Sequence, residues 1–259
     1  VLLATLLPLS VPAATVDGLY RVQAYVTGQD NLPERARGFR DALKEVLVKL
    51  TGDAGITTDP RLQPALAQAE TYVLRFDYED RMKGIPIHDE QGTRDRPYFL
   101  RVTFDQAKID ALVAALGRRK WAADRPRRLL LVAVKDLAGR YLLVRQAERG
   151  YGQREAFRAA ALHFGLPVLL PDDMDGPAHL TYADVAAPHP QALAAAKAAY
   201  HADALLRGSM VINAKGYWST RWTLDQGGGR KSWRVDNTTF DRAIAQSMAA
   251  AARNLASLN

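Results

Sequence analysis

The chain has 259 residues, 35 Lys+Arg against 28 Asp+Glu for a formal net charge of +7, and no cysteine. Without cysteine, a disulfide framework, a thiolate metal centre and a lipid anchor on an N-terminal cysteine are excluded. The length, beyond the commonest domain size of about 100–150 residues, argues for two modest domains.

Val1–Val11 is uncharged and apolar and is followed by Pro12, Ala13, Ala14 and Thr15. It is shorter than the roughly 20 apolar residues a bilayer-spanning helix needs, and the small residues beside it suit a signal peptidase. Residues 1–14 are therefore expected to be a signal peptide truncated at its basic end, and the mature chain a periplasmic protein. An uncleaved anchor and a buried strand are the alternatives.

Residues 15–120 are expected to form an N-terminal α+β domain. "LYRVQAYV" (19–26) has the pattern of a strand. Pro33 then introduces a helix in which Phe39, Leu43, Val46, Leu47 and Leu50 recur at helical spacing, and Gly52 stops it. A shorter helix is predicted from Pro60 to Glu70, with Leu62, Leu66 and Ala69 inward. "YVLRFDYED" and "YFLRVTFD" alternate as strands covered on one side, with Tyr72, Leu74, Phe76 and Tyr78 inward in the first. The polar segment 81–96 makes them a long-looped hairpin. Asp105 is placed to cap a helix carrying Ile109, Leu112, Val113 and Leu116, which Gly117 ends.

"GRRKWAADRPRR" (117–128) has six cations, Pro126 and no apolar period, so it is the predicted linker, with Trp121 plugging a seam between the domains. Residues 125–259 are expected to form a C-terminal α/β domain. "LLLVAVKD" (129–136) is the continuous apolar run of a strand buried on both faces. A helix over 153–164, the strand "LPVLLP", the helix "PQALAAAKAAYH" and the strand "DALLRGSMVI" come next, and a last helix runs from Thr239 to about Ser257. The expected fold class is thus α/β and α+β: two small domains, each a mixed sheet with helices packed on it.

The basic excess is one-sided. Residues 17–124 carry 17 Lys+Arg and 17 Asp+Glu, whereas residues 125–259 carry 18 and 11. Such a surplus favours anionic partners, among them lipid headgroups, cell-wall polymers and nucleic acid; export argues against nucleic acid, and an envelope protein or a cell-wall polymer is the expected partner. A merely solubilising face is the competing reading.

"GYWSTRWTLDQGGGRKSWRV" (216–235) holds three of the four tryptophans. A phosphate loop needs glycine immediately before its Lys-Ser pair and a helix after it, but Arg230 stands there and the residues after Lys231 alternate as a strand. A hairpin accounts for more: Trp218, Thr220, Trp222 and Leu224 face one way and Trp233 joins them, with Gly227–Gly229 at the turn. The opposite face carries Tyr217, Arg221 and Arg234, the candidate binding residues, because paired arginines grip carboxylates and phosphates. A solvated outer sheet face remains the alternative.

The five histidines show no helical pair with an adjoining carboxylate, and no serine lies in a G-x-S-x-G turn. "GYG" (150–152) has Glu155 where a dinucleotide fingerprint wants its third glycine. "PDDMDG" crowds Asp172, Asp173 and Asp175 at a strand end without the later glutamate of a calcium loop. No catalytic residue, metal site or cofactor is therefore assigned. The expected function is a non-catalytic binding or envelope-assembly module. The alternative is a hydrolase of wall or lipid fragments, with Asp172 and Asp173 as acid and base beside His179.

With "VDGLYRVQAYV", "FRDALKEVLVKLTGD", "YVLRFDYED", "FLRVTFDQAKIDALVAAL" and "RPRRLLLVAV" in order, the chain resembles the proteobacterial envelope proteins catalogued as domain of unknown function 2066. That resemblance implies export and no assigned reaction. His201 departs from it, standing where relatives often have glycine. On its topology and "ADALLRGSM", the second half also resembles small α/β envelope-assembly modules, namely the amino-terminal domain of the Tol system's propeller protein, the curli-secretion protein and the activators of peptidoglycan synthases.

Overall fold

The computed structural model describes residues 14–16, 18–84, 96–172, 179–226 and 229–257. The expected export signal falls on residues 1–14, of which 1–13 lie outside the described residues. The chain has the expected class, helices and sheets in two sheet regions.

The first region is built on β2 (Arg21–Thr27), which comes after the two-residue β1 (Ala14–Thr15) and alternates strictly, with Val22, Ala24 and Val26 buried. Helix α1 (Leu32–Thr51) starts at Asn31, whose side chain accepts the Glu34 N–H, and ends at Gly52 with φ 67°. The predicted stripe Phe39, Leu43, Val46, Leu47 and Leu50 is fully buried. Gly38 brings this helix onto the sheet, because a Cβ there would lie 2.6 Å from Val26 Cγ1 and 2.7 Å from Leu100 Cδ2.

The single helix predicted over Pro60–Glu70 is broken into a 3-10 turn (Pro60–Leu62), α2 (Gln63–Ala67) and a second 3-10 turn (Ala69–Tyr72). Pro64 has no N–H to give the Pro60 carbonyl, so the α-helical ladder cannot run through. Leu62, Leu66 and Ala69 are buried all the same. Strands β3 (Val73–Asp80) and β4 (Pro97–Phe104) form the long-looped hairpin, and α3 (Gln106–Ala115) begins where Asp105 accepts the Lys108 N–H. The sheet order is β2-β4-β3, antiparallel throughout.

One expectation for β3 fails. Leu74 and Phe76 are 65% and 38% exposed. This strand is at the sheet edge, α1 lies over β2 and β4, and the register shifts between Val73 and Arg75. Phe76 is instead met edge-on by Phe39 and by the Arg35 guanidinium at 5.5 Å.

The outer edge of β2 is blunted by α1. Lys49 Nζ donates to the Arg21 carbonyl at 2.9 Å and Arg37 Nη2 to that of Tyr25 at 2.6 Å, while Glu34 accepts the Thr27 N–H. Charged side chains on an edge strand oppose pairing with a foreign strand. Hydrogen bonds from Arg37 hold the Glu34 carboxyl below its ordinary value, at about 2. A carboxyl depressed on folding contributes stability that is present above its unfolded pKa and lost as pH falls through the folded one. Glu34→Gln should therefore flatten the loss of stability between about pH 4.5 and pH 2 by less than about 1 kcal/mol, the ceiling for an exposed pair, as read from urea midpoints across that range.

The second region centres on β6 (Arg128–Asp136), buried on both faces along Leu129–Val134. It runs parallel to β8 (Val168–Leu169) and β9 (Ala204–Ile212) and antiparallel to β7 (Gly139–Leu142); β10 (Trp218–Gln226) and β11 (Gly229–Thr238) complete a mixed sheet in the order β11-β10-β9-β6-β7. Its helices are α4 (Tyr151–Phe164), α5 (Tyr182–Ala186), α6 (Pro190–Ala199) and α7 (Phe240–Ala256). Neither β7 nor α5 was legible in the sequence. The strand has four residues, and the helix is a single turn held by a Thr181–Asp184 capping box.

On one face of this sheet Leu130, Val132, Val134, Leu206, Met210 and Trp222 pack with α4 and α7 in a cluster continuous with the core of the first region. On the other face, Leu129, Leu131, Ala133 and Leu205 meet Val185 of α5 and Leu193 of α6.

The predicted linker, segment 117–128, contains some of the most deeply buried side chains among the described residues. Trp121 does fill the seam, 1% exposed, with its backbone N–H on the Leu50 carbonyl at 2.7 Å. Arg125, in β5 (Asp124–Arg125) paired with β1, is fully buried with its guanidinium 3.9 Å from the Trp121 ring centroid. It donates to the carbonyls of Ala122 (2.9 Å), Lys49 (3.0 Å), Phe164 (3.0 Å) and Gly165 (2.7 Å), so one cation ties the C-terminal ends of α1 and α4 together. A cation there also meets the negative ends of two helix dipoles. A high count of Arg and Lys with no apolar period looks like a solvated tether, and only the tertiary structure shows which arginine turns inward.

Candidate functional site

Alternation divides the β10–β11 hairpin as the sequence predicts. Trp218, Thr220, Trp222 and Leu224 are buried, and Trp233 is partly buried against the same cluster. Trp222 stacks on Trp233 with centroids 6.4 Å apart and meets Phe157 edge-on at 5.7 Å, while Trp218 meets Phe240 of α7 at 5.8 Å. Thr220 Oγ1 lies 2.8 Å from Ser247 Oγ, which itself donates to the Ala243 carbonyl. The inner face is core, and α7 is its cover.

The outer face is bare where α5 and α6 end. Arg221 and Arg234 are exposed and sit directly opposite each other in the ladder, with Ser209 of β9 opposite Arg221 on its other side. Directly opposed residues have Cβ atoms about 4.5–5.5 Å apart, and like charges there repel. Arg234 Nε is 2.9 Å from Asp236, and Arg230 Nε is 2.7 Å from Asp225, whose carboxylate raises the Arg230 pKa. Arg221 has no carboxylate within ion-pair distance among the described residues.

Of the three predicted residues, the fold brings Arg221 and Arg234 together and leaves Tyr217 apart. Tyr217 is 43% exposed on the same side but precedes β10, four residues from Arg221 or about 13 Å along the strand. Its N–H is held by the Asn213 side chain. Arg207 of β9 is the residue that sequence reasoning missed. It lies opposite Thr223, one row from the arginine pair, half-buried with Nη1 toward the Val185 carbonyl at 3.4 Å, and burial lowers its pKa. Alternation in "DALLRGSMVI" puts Arg207 and Ser209 on one face of β9, and its pairing with β10 makes that the arginine face.

The row Ser209–Arg221–Arg234, flanked by the Thr223 and Ser232 hydroxyls 3.4 Å apart, offers donors to an anion. Its two nearest carboxylates, Asp225 and Asp236, are already paired with arginines, which leaves neither as an uncommitted base. Elsewhere, Asp172 accepts from Arg145 Nε at 2.7 Å; Asp173 and Asp175 lie outside the described residues, as do Gly227 and Gly228 of the turn. Among the described residues no group of three or more His, Asp or Glu is placed to hold a metal ion, and no helix is long and apolar enough to cross a membrane.

A family model described as a domain of unknown function (DUF8605) matches residues 13–122. The resemblance to domain of unknown function 2066 is thereby corrected: the matching domain is a different one, and the likeness to envelope-assembly modules is set aside with it. The blocks that carried those resemblances are core and turn patterns, which different α+β domains share. No curated protein matches the chain. The matched residues end before β6, so they do not include the arginine face.

Proposed function

We propose that the chain is a non-catalytic binding module of the bacterial periplasm that docks a carboxylate-bearing protein or wall surface on the outer face of β9, β10 and β11. The observation that carries this reading is the Arg221–Arg234 pair. The two arginines face each other across the ladder on an exposed sheet face, and among the described residues only Arg234 has a carboxylate, Asp236, at ion-pair distance, so an added anion gains by bridging them. The basic excess of residues 125–259 supports it by drawing acidic partners toward the same half. Export rests on the apolar run Val1–Val11 and the small residues after it, and the mature N-terminus read by mass spectrometry from the native envelope tests it. The hydrolase alternative has less support, since the Asp172 carboxylate is engaged by Arg145.

Poly-glutamate is a suitable probe of the face. Binding at low ionic strength should weaken as salt rises, because exposed charges are screened within about 10 Å at 0.1 M. Arg221→Glu with Arg234→Glu should reduce it at least tenfold without moving the unfolding midpoint. Unchanged binding by the doubly reversed protein would overturn the assignment of the face.

A further inference from the structure

Two grooves on the opposite side of the molecule adjoin, and neither belongs to the arginine face. The first, of about 870 Å³, lies across β2, β4 and β3 of the first sheet, with residues of α1 and α4 along its side. Four fixed cations line it, Arg21, Lys49, Arg75 and Arg101, against the carboxylates Glu45 and Asp77. Arg101 is engaged by Asp77 and Glu79, and Glu45 by His163. Arg21 and Arg75 have no ion-pair partner among the described residues and flank Thr103 in one row of the sheet. Lys49 gives its amine to a backbone carbonyl.

The second groove, of about 620 Å³, lies between α4 and α7. Its lining is largely alanine, with Ala156 and Ala160 on one wall and Ala245 and Ala249 on the other, and Phe164 and Ile244 among them. The two grooves meet at Ala159 and His163, which line both.

We infer that the pair forms one site for a single-chain anionic amphiphile, its alkyl chain along the alanine-lined groove and its acidic headgroup among Arg21, Lys49 and Arg75. Charge complementarity selects this occupant. A wholly apolar ligand would leave the cations unanswered, and an inorganic anion would leave the apolar channel empty. The spacing of uncommitted cations around a neutral hydroxyl suits a phosphate or carboxylate head, and small side chains on both helices leave width for a polymethylene chain. This site is independent of the proposed role of β9–β11.

Calorimetric titration of the purified chain with dodecyl phosphate, laurate, octyl phosphate, dodecyl maltoside and inorganic phosphate, each below its micelle concentration, tests it. One molecule of dodecyl phosphate or laurate should bind per chain, and the tighter of the two identifies a phosphorylated lipid or a fatty acid as the source. Each methylene between octyl and dodecyl phosphate should tighten binding roughly two- to fourfold. Arg21→Glu with Arg75→Glu should weaken dodecyl phosphate at least tenfold and leave dodecyl maltoside unchanged. Ala245→Phe, at an exposed position on the groove wall, should abolish the chain-length dependence. Equal binding of dodecyl and inorganic phosphate, or indifference to both variants while their unfolding midpoints match the parent, would overturn the inference.

Discussion

Trp222→Ala should lower the free energy of unfolding by about 3–5 kcal/mol, the range for truncating a buried indole. The ring is 2% exposed and lies between Trp233 and Phe157. It also covers Gly208 directly across the ladder, where a Cβ would approach within 2.4 Å of the ring. Because residue 208 has no side chain to fall into the vacated space, the cavity stays open. The indole N–H has no hydrogen-bond partner among the described residues, so Trp222→Phe removes a buried donor without such a partner along with ring area and should lose much less. Guanidinium unfolding of the two variants, followed by near-ultraviolet circular dichroism, separates these cases. A Trp222→Ala protein within about 1 kcal/mol of the parent would mean that the hairpin's inner face is not packed as described.

Arg125→Met should cost at least about 3 kcal/mol. Methionine keeps most of the stem but no donor, which orphans four carbonyls, the buried ones of Phe164 and Gly165 and the partly buried ones of Lys49 and Ala122, three of them at the ends of α1 and α4. Leaving a buried acceptor unsatisfied costs about 1–3 kcal/mol, partly offset here because burial and the neighbouring Arg128 already disfavour the charged guanidinium. Arg125→Lys should recover little of the loss, since one ammonium cannot spread its donors across the positions a planar guanidinium spans. The distinguishing readout is hydrogen exchange. Amides at the C-terminal turns of α1 and α4 should lose protection together in the Met variant, while those of β9 to β11 change less. Independent or absent changes in the two helices would contradict the clamp.

Most of the architecture was legible because its residues obey one period at a time. The α1 stripe, the continuous apolar run of β6 and the alternation of β10 each state their burial directly. The Pro60–Glu70 segment was misread as one helix because the apolar spacing of Leu62, Leu66 and Ala69 survives a change of ladder that Pro64 enforces. Leu74 was misread because alternation gives a strand two faces but does not say which strands a helix covers. The seam was illegible for a different reason: Arg125 is buried through carbonyls contributed by residues 76 positions before it and 39–40 after it, and no local pattern announces such partners.

The candidate face divides the same way. Alternation placed Arg221 and Arg234 outward, and the hairpin register made them neighbours. Tyr217 shares their parity but stands about 13 Å off, a distance that parity does not encode. Arg207 joins the face only because β9 pairs with β10, a long-range fact.

The central functional claim is tested most directly by watching the guanidinium Nε resonances of the isotope-labelled chain during titration with an oligo-glutamate. The expected result is a set of shifts concentrated at Arg221 and Arg234, smaller ones at Arg207, and their collapse at high salt. Unmoved Arg221 and Arg234 signals while arginines elsewhere respond, or shifts that ignore salt, would contradict it.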